Sequence, residues 1–411
     1  MQATLQRDTK SFIDASSSRI CEPIEHKRYT LSQALCQPLL FSAEKKGNTM
    51  RRYRSPQRFA VLFLATGVMI LAGSPRLRAQ TDTEPHGRTI HPRALAFNPT
   101  THRLYAVDQD GNRVIVVDRM GARSSIAVGQ APNCIVVDAA LNRIYVANAG
   151  SGNISVIDGA TDHLVKTLPG EKHPYAIGFD AALHRVYVTN TYSNNVTVIN
   201  SATDSVQQVP IGSKDYVETD SHRQRAFFIS YEDPTLTVLD ASNAIRREDL
   251  GLSHPWGLGV DEERGIVYVT EIGKNMLIAY HEESGKTDAV ATGEMPDAVR
   301  IDEAANKIYV ANYVGDSVTV IDGATMRPVA TVPAGHHPQA LAVDGKRHRI
   351  FVANTHSNNI TVIDGATNQI LATLPGGANP YAVAVDPESG DAYVANYGSH
   401  PLTKLDLSSL H

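Results

Sequence analysis

Apolar and polar positions alternate in one pattern that recurs, with drift, eight times between residues 91 and 410. It is clearest at residues 337–367, HPQALAVDGKRHRIFVANTHSNNITVIDGAT. A short apolar run, Ala340 to Val343, meets a turn at Asp344-Gly345. A β-rich run, Arg349 to Ala353, meets a second turn at Ser357-Asn358-Asn359. Ile360 to Ile363 follows, then Asp364-Gly365, then Leu371 to Leu374 before Pro375-Gly376-Gly377. Four short strands joined by tight polar turns predict an antiparallel sheet. No stretch of the repeats carries helical periodicity. Strands one to three are apolar on both faces, so each sheet needs cover on both sides.

The spacing is strict. The residue that ends the first run reads Asn98, Asp138, Asp180, Asp220, Asp261, Asp302, Asp344 and Asp386. Seven residues later comes Tyr105, Tyr145, Tyr187, Phe227, Tyr268, Tyr309, Phe351 or Tyr393. Successive units lie 40 to 42 residues apart, a period that points to stacked or radial repeats. Sheets packed around an axis cover both faces of each, so the fold class is all-β, a β-propeller of four-stranded antiparallel blades. Eight copies predict eight blades. The alternative is seven, with unit four left out: it has Lys214-Asp215 where others have His-Pro or a similar pair, and its first strand is one residue short. Unit eight ends after its third strand, Leu402 to Leu407, and Gly87 to Ile90 is expected to supply the fourth. Closing the ring in this way removes exposed sheet edges.

The phrases Tyr187-Val188-Thr189-Asn190 and Tyr145-Val146-Ala147-Asn148, with VTVIDGAT at 318–325, resemble the YVTN β-propeller repeat family and are similar to the YncE-like propellers. The resemblance spans residues 91–410 and implies the fold. It transfers no catalytic residue, because none belongs to the repeat motif. It does imply two alternatives to simple binding: some similar propellers open lactones or carry redox cofactors, and YncE-like proteins suggest DNA binding.

Upstream, residues 1–49 match nothing in the repeats and are read as a disordered or untranslated extension. Met50 opens a basic stretch, Arg51 to Arg58, then fifteen mostly apolar residues, Phe59 to Gly73, and a small residue, Ala79, before Gln80. That is the pattern of a secretory signal peptide at 50–79. Fifteen residues are short for a membrane span of about 20, and the alternative is an uncleaved anchor. Residues 80–90 are a lead-in. The expected location is periplasmic or secreted, with no stable membrane span after cleavage and a monomeric body. The first 79 residues hold 13 Lys and Arg against 5 Asp and Glu, which leaves 25 against 38 in the remainder. Such an acidic body repels phosphate backbones, which argues against nucleic acid as partner. Only Cys134 remains after cleavage, so no intrachain disulfide can form.

Residues that repeat once per unit are read as structure. The aromatic is inter-blade core. The Asp caps its turn, and the basic residue five later (Arg103, Arg143, Arg185, Arg225, Lys307, Arg349) is expected to pair with it. The Asn after each YVT or YVA (Asn148, Asn190, Asn312, Asn354, Asn396) closes a second turn. Function is sought where copies differ. Beside the Pro that opens strand one lie Arg93, Asn133, Tyr175, Trp256, Asp297, Gln339 and Tyr381, with Tyr216 in unit four. These form a candidate ligand-binding ring at a channel mouth. Arg300 stands in a column that otherwise reads Ala96, Val136, Gly178, Gly259, Ala342 and Ala384, with Glu218 as a candidate partner. An Arg among such residues needs a partner or water. His91, His173, His254 and His337 precede the Pro in alternate units, a candidate metal set. The plainer account is a favoured loop opening, and a wide channel would keep four imidazoles apart.

The reading is therefore an exported binding or scaffold protein whose ligand, a small molecule, glycan or protein, is unknown, and which needs no cofactor. The alternative is an enzyme, although no nucleophile elbow, P-loop, dinucleotide fingerprint or CxxCH haem attachment occurs. Sequencing the N-terminus of exported protein should give a start at or near Gln80. Full-length protein recovered from the cytoplasm would contradict this.

Overall fold

The computed structural model describes residues 92–397 and 402–410. These form eight antiparallel sheets, each built from strands consecutive in sequence. Seven have four strands; the eighth has three, Pro380–Val385, Ala392–Asn396 and Leu402–Lys404. First strands of consecutive sheets lie side by side, and Pro92–Asn98 of the first packs on Pro380–Val385 of the last. The ring is closed and the protein is an eight-bladed β-propeller. Unit four is a full blade, so the seven-blade alternative falls. The expected extension, export signal, closing strand and His91 lie outside the described residues, and of Arg93 only the backbone is described.

The core is divided among the blade interfaces. Each of eight apolar clusters takes residues from two neighbouring blades. Tyr105, Tyr145, Tyr187, Phe227, Tyr268, Tyr309 and Phe351 are 0% exposed. Burying such a side chain is worth about 1.5–3 kcal/mol. The last cluster joins Leu104, Ala106, Ile115 and Val117 of blade 1 to Tyr393 and Leu402 of blade 8, so closure is itself apolar packing.

The repeated Asp is buried in every blade that has it, and caps the hairpin between strands one and two. Asp138 accepts from the Leu141 amide at 3.0 Å, Asp180 from Leu183 at 2.9 Å and Asp261 from Arg264 at 3.0 Å. The basic residue on strand two does not pair with this Asp, as the spacing suggests. It reaches the turn between strands three and four of the next blade. Arg103 pairs with Asp162 at 2.9 Å, Arg143 with Asp204 at 2.8 Å and Arg225 with Glu282 at 2.8 Å. Arg185 donates to Asn243, and Lys307 to the Gly365 carbonyl and Asn368. The side chain that seemed local is an inter-blade clasp, and the second carboxylate oxygen of the Asp is instead met by other side chains, Arg223 at Asp220, Arg264 at Asp261 and Arg347 at Asp344. The repeated Asn behaves as expected: Asn148 donates to Asn153 at 2.9 Å, and Asn354 to Asn359 at 2.8 Å.

These turns separate two faces. Strand one runs from its Pro to the capped Asp, so the Pro loops and the turns between strands two and three share one face. The capped hairpins share the other.

The Arg225–Glu282 clasp is a sensitive one. Burial, with the Asp220 carboxylate alongside, holds the Glu282 carboxyl above the usual range; Arg225 opposes both. Arg225→Ala should cost about 3–5 kcal/mol at pH 8, because it strands a buried carboxylate. The loss should shrink at pH 5, where Glu282 takes up a proton. Urea melts at both pH values check this; an equal loss at both would contradict it.

Candidate functional site

The variable residues sit on recurring irregularities. In most blades the register between strands one and two shifts just after the Pro, as between Pro255 and Leu258 and between Pro296 and Val299. A bulge of this kind re-aims the side chains it carries. Here the residue after Pro sits on that irregularity. Blade 4 pairs without a bulge from Tyr216 to Asp220, because its strand is shorter. Its missing Pro is replaced by other anchors. Lys214 is wholly buried and pairs with Asp233, while Asp215 accepts from Ser230 at 2.9 Å and from the Tyr231 amide at 3.1 Å.

Three blades bring aromatic rings into one run. Tyr175 and Tyr216 stand edge to face with centroids 6.4 Å apart, and Tyr216 and Trp256 lie 6.1 Å apart. Tyr231 meets Trp256 edge to face at 6.0 Å and His254 at 5.0 Å. His173 extends the run beside Tyr175, at 6.1 Å, and Tyr192, at 4.8 Å. Burial drives the Tyr216 hydroxyl well above its usual pKa, and nearby Tyr175, Asp297 and Tyr381 add to this. Tyr381 belongs to blade 8, so its influence on blade 4 reaches across the mouth.

Asp297 of blade 6 closes the run. Gly257 makes its approach possible: a Cβ there would stand 2.1 Å from the Asp297 carbonyl oxygen. Thr270 donates to that same carbonyl at 3.0 Å and accepts from the Gly257 amide at 2.6 Å. Enclosure pushes the Asp297 carboxyl up to about 7, against the donating Trp256 indole. Among the described residues no cation pairs with it.

Deeper in the channel, Arg300 and Glu218 occupy the same register, opposite Tyr309 and Phe227 on their second strands. Arg300 Nη1 stands 4.0 Å from Glu218 Oε1 and donates to the Val299 carbonyl at 2.8 Å. Their side chains are 47% and 40% exposed, so both meet channel water. Protein nonetheless surrounds Glu218, and this enclosure raises its carboxyl while Arg300 opposes. Blade 5 lies between them with Gly259 at this register, where a Cβ would crowd Ile301 at 3.0 Å and Val299 at 3.2 Å. Cys134 lies on the blade 2 bulge, its thiol pushed up by burial and further by the Glu218 charge.

Asn133 and Gln339 do not join the aromatic run. Asn133 donates to the Tyr175 carbonyl at 2.9 Å, and Gln339 accepts from Thr355 at 3.0 Å. Nor do the three described histidines of the set pack on one another. His173 packs on Tyr192, His254 on Tyr231, and His337 on Tyr313 and His356. His173 and His337 have left-handed backbones, φ 58° and 54°, as do Ala131, Met295 and Asn379 at the same position. Their carbonyls accept from the next turn, His173 from Thr191 and His337 from Thr355. Among the described residues no group of three His, Cys, Asp or Glu is placed to hold a metal ion.

Sequence reasoning missed Tyr192, Tyr231, Tyr313 and His356. They lie on the turn between strands two and three, one or two residues past the repeated Asn position. The signal was an aromatic or His in a turn that is otherwise polar. A cleft of about 320 Å³ opens on this face beside Tyr231, His254, Gly273 and Met295. A larger one, about 460 Å³, lies on the opposite face between blades 7 and 8, among Arg347, Asp391, Lys404 and Leu407. It is walled by hairpin ends and carries none of the ring faces.

Residues 104–385 match the profile of YNCE-like β-propellers. No curated protein matches the sequence. Among solved structures, the chain is similar to the dihydro-heme d1 dehydrogenase NirN in complex with DHE, with a TM-score of 0.64 and 13% identity over 79% of this chain and 76% of that one. It is also similar to the hydrazine synthase of Kuenenia stuttgartiensis, with a TM-score of 0.54 and 18% identity over 81% of this chain and 98% of that one. At these identities the likeness is one of fold.

Asp297 makes a testable mark on stability. A carboxyl that binds its proton more tightly folded than unfolded costs stability once it ionises. Stability should therefore fall as pH rises from about 4, the unfolded value, to about 7. Asp297→Asn should remove that slope, so its Tm gain over the parent should be larger at pH 8 than at pH 5. The same offset at both pH values would contradict the assignment.

Proposed function

The chain belongs to the YNCE-like β-propeller family, and on that premise we propose that it is an exported binding protein that holds its ligand on the rim of blades 3 to 6. The observation that carries this is the unbroken run Tyr175, Tyr216, Trp256 and Tyr231, with Asp297 brought beside it by the close approach of its backbone to Gly257. Aromatic rings at a concave mouth give large contact area at little loss of side-chain freedom, and polar groups between them fix orientation. The rest of the propeller is a rigid frame for that rim. The acidic body disfavours nucleic acid, and the signal-like segment at 50–79 supports a periplasmic or secreted location.

Catalysis is the competing reading, favoured by Asp297, which titrates near neutrality as a general acid or base would. The side chain acting on that carboxyl is an indole, however, and not a base or a second carboxylate. The rim is better equipped to hold than to transform.

Ligand capture from cell extract by the purified protein tests the proposal. Trp256→Ala should weaken retention about tenfold or more, equivalent to about 1.4 kcal/mol. Arg347→Ala, on the opposite face, should leave it unchanged. Capture indifferent to Trp256, or recovery of a chemically altered ligand, would overturn the reading.

A further inference from the structure

The rim combines two features that together specify a charge. The first is the angle between its rings. Tyr175 and Tyr216 meet at 80°, Tyr216 and Trp256 at 55°, and Trp256 and Tyr231 at 88°. Rings turned so steeply wall a corner, where a flat platform would need near-parallel planes. Each ring carries negative potential on its face, and a cation within about 6 Å of a ring centroid is attracted to it.

The second feature is the placement of charge. Asp297 is brought to this corner by the close approach of its backbone to Gly257, next to Trp256 in sequence, and has no cation against it among the described residues. Arg300, three residues along the same strand, is turned to Glu218 and the Val299 carbonyl instead. It balances the deeper carboxylate and leaves the outer one uncompensated. Of the other ionisable groups, Tyr216 of blade 4 interacts with Asp297, and Tyr175, Tyr381 and Asp215 also act on Tyr216. The flanking first strands, Pro255–Asp261 and Pro338–Asp344, carry no charge before their final Asp on the far face.

Resting on the rim reading above, we infer that the ligand presents a cationic amine, protonated or quaternary, to the corner formed by Tyr216, Trp256 and Asp297. An anion would meet the Asp297 carboxylate and the ring faces, all negative. A neutral ring would leave an enclosed carboxylate without a counter-charge. A cation satisfies both at once. The acidic body also raises the local concentration of cations at the mouth.

Trp256 is the only tryptophan in the chain, so its fluorescence reports on this corner alone. The probes are choline, its neutral carbon isostere 3,3-dimethylbutan-1-ol and the anion 3,3-dimethylbutanoate, titrated into the full protein. Choline should change the emission saturably, with the isostere at least tenfold weaker and the anion silent. Asp297→Asn, which keeps the side chain's shape, should weaken choline about tenfold, with its melting curve confirming the fold. Choline carries no titratable proton near neutrality, so its affinity should fall from pH 8 to pH 6 as Asp297 takes up a proton. That slope should vanish in Asp297→Asn. Equal binding of choline and isostere, or indifference to Asp297→Asn, overturns the cationic inference and leaves the rim reading standing. Silence to all three probes overturns the inference as well. The rim reading then falls only if capture also proves indifferent to Trp256→Ala.

Discussion

No blade of this propeller can bury both of its faces alone. Strands two and three carry apolar side chains on each side, and the aromatic of strand two is wholly buried in seven of the eight blades. Each blade is thus half of two cores, and each core cluster bridges two blades. Stability in such an array is a sum of units and their interfaces. Everything else follows from keeping the interfaces in register: the capped Asp fixes each hairpin, and the strand-two basic residue ties it to the next blade.

That arrangement leaves one place free to vary. Among the described residues, those just after each Pro, on the bulge, stand outside the apolar clusters of the interfaces, apart from Tyr216 of blade 4. Blade 4 shows how far variation can go. It has lost the Pro and the bulge, and a buried Lys214–Asp233 pair takes over the anchoring. Blade 5 replaces the turn-closing Asn with Glu271. Burial alone would raise that carboxyl, but the Ser253, His254 and Gly273 amides and the Ser253 hydroxyl donate to it and hold it low. These substitutions are clustered where Tyr216, Tyr231 and Trp256 meet. The repeat is broken in the sector that gathers aromatic rings.

The strict offsets made the fold legible, because a seven-residue offset kept in eight copies 40 to 42 residues apart leaves few architectures. The mouth residues Tyr175, Tyr216, Trp256, Asp297 and Tyr381 were legible too, as departures from the repeat at one position. Their grouping was not. It depends on which blades are neighbours across the ring and on Gly257, whose missing side chain lets Asp297 approach Trp256. The clasp partners of Arg103, Arg143 and Arg225 were hidden for a similar reason: they lie 57 to 61 residues away, farther than one repeat. The histidines show the opposite limit. Their alternation is visible in the sequence, yet the rings of His173, His254 and His337 pack on Tyr192, Tyr231 and Tyr313 of nearby turns and not on one another.

The central claim is that one sector of an otherwise regular ring does the binding. Hydrogen–deuterium exchange of the protein, alone and saturated with its captured ligand, tests this most directly. The account predicts new protection confined to the channel-mouth ends of the first strands of blades 3 to 6, near residues 173–177, 214–218, 254–258 and 295–299. Protection at the capped hairpins of the opposite face, or spread evenly over all eight blades, would contradict it.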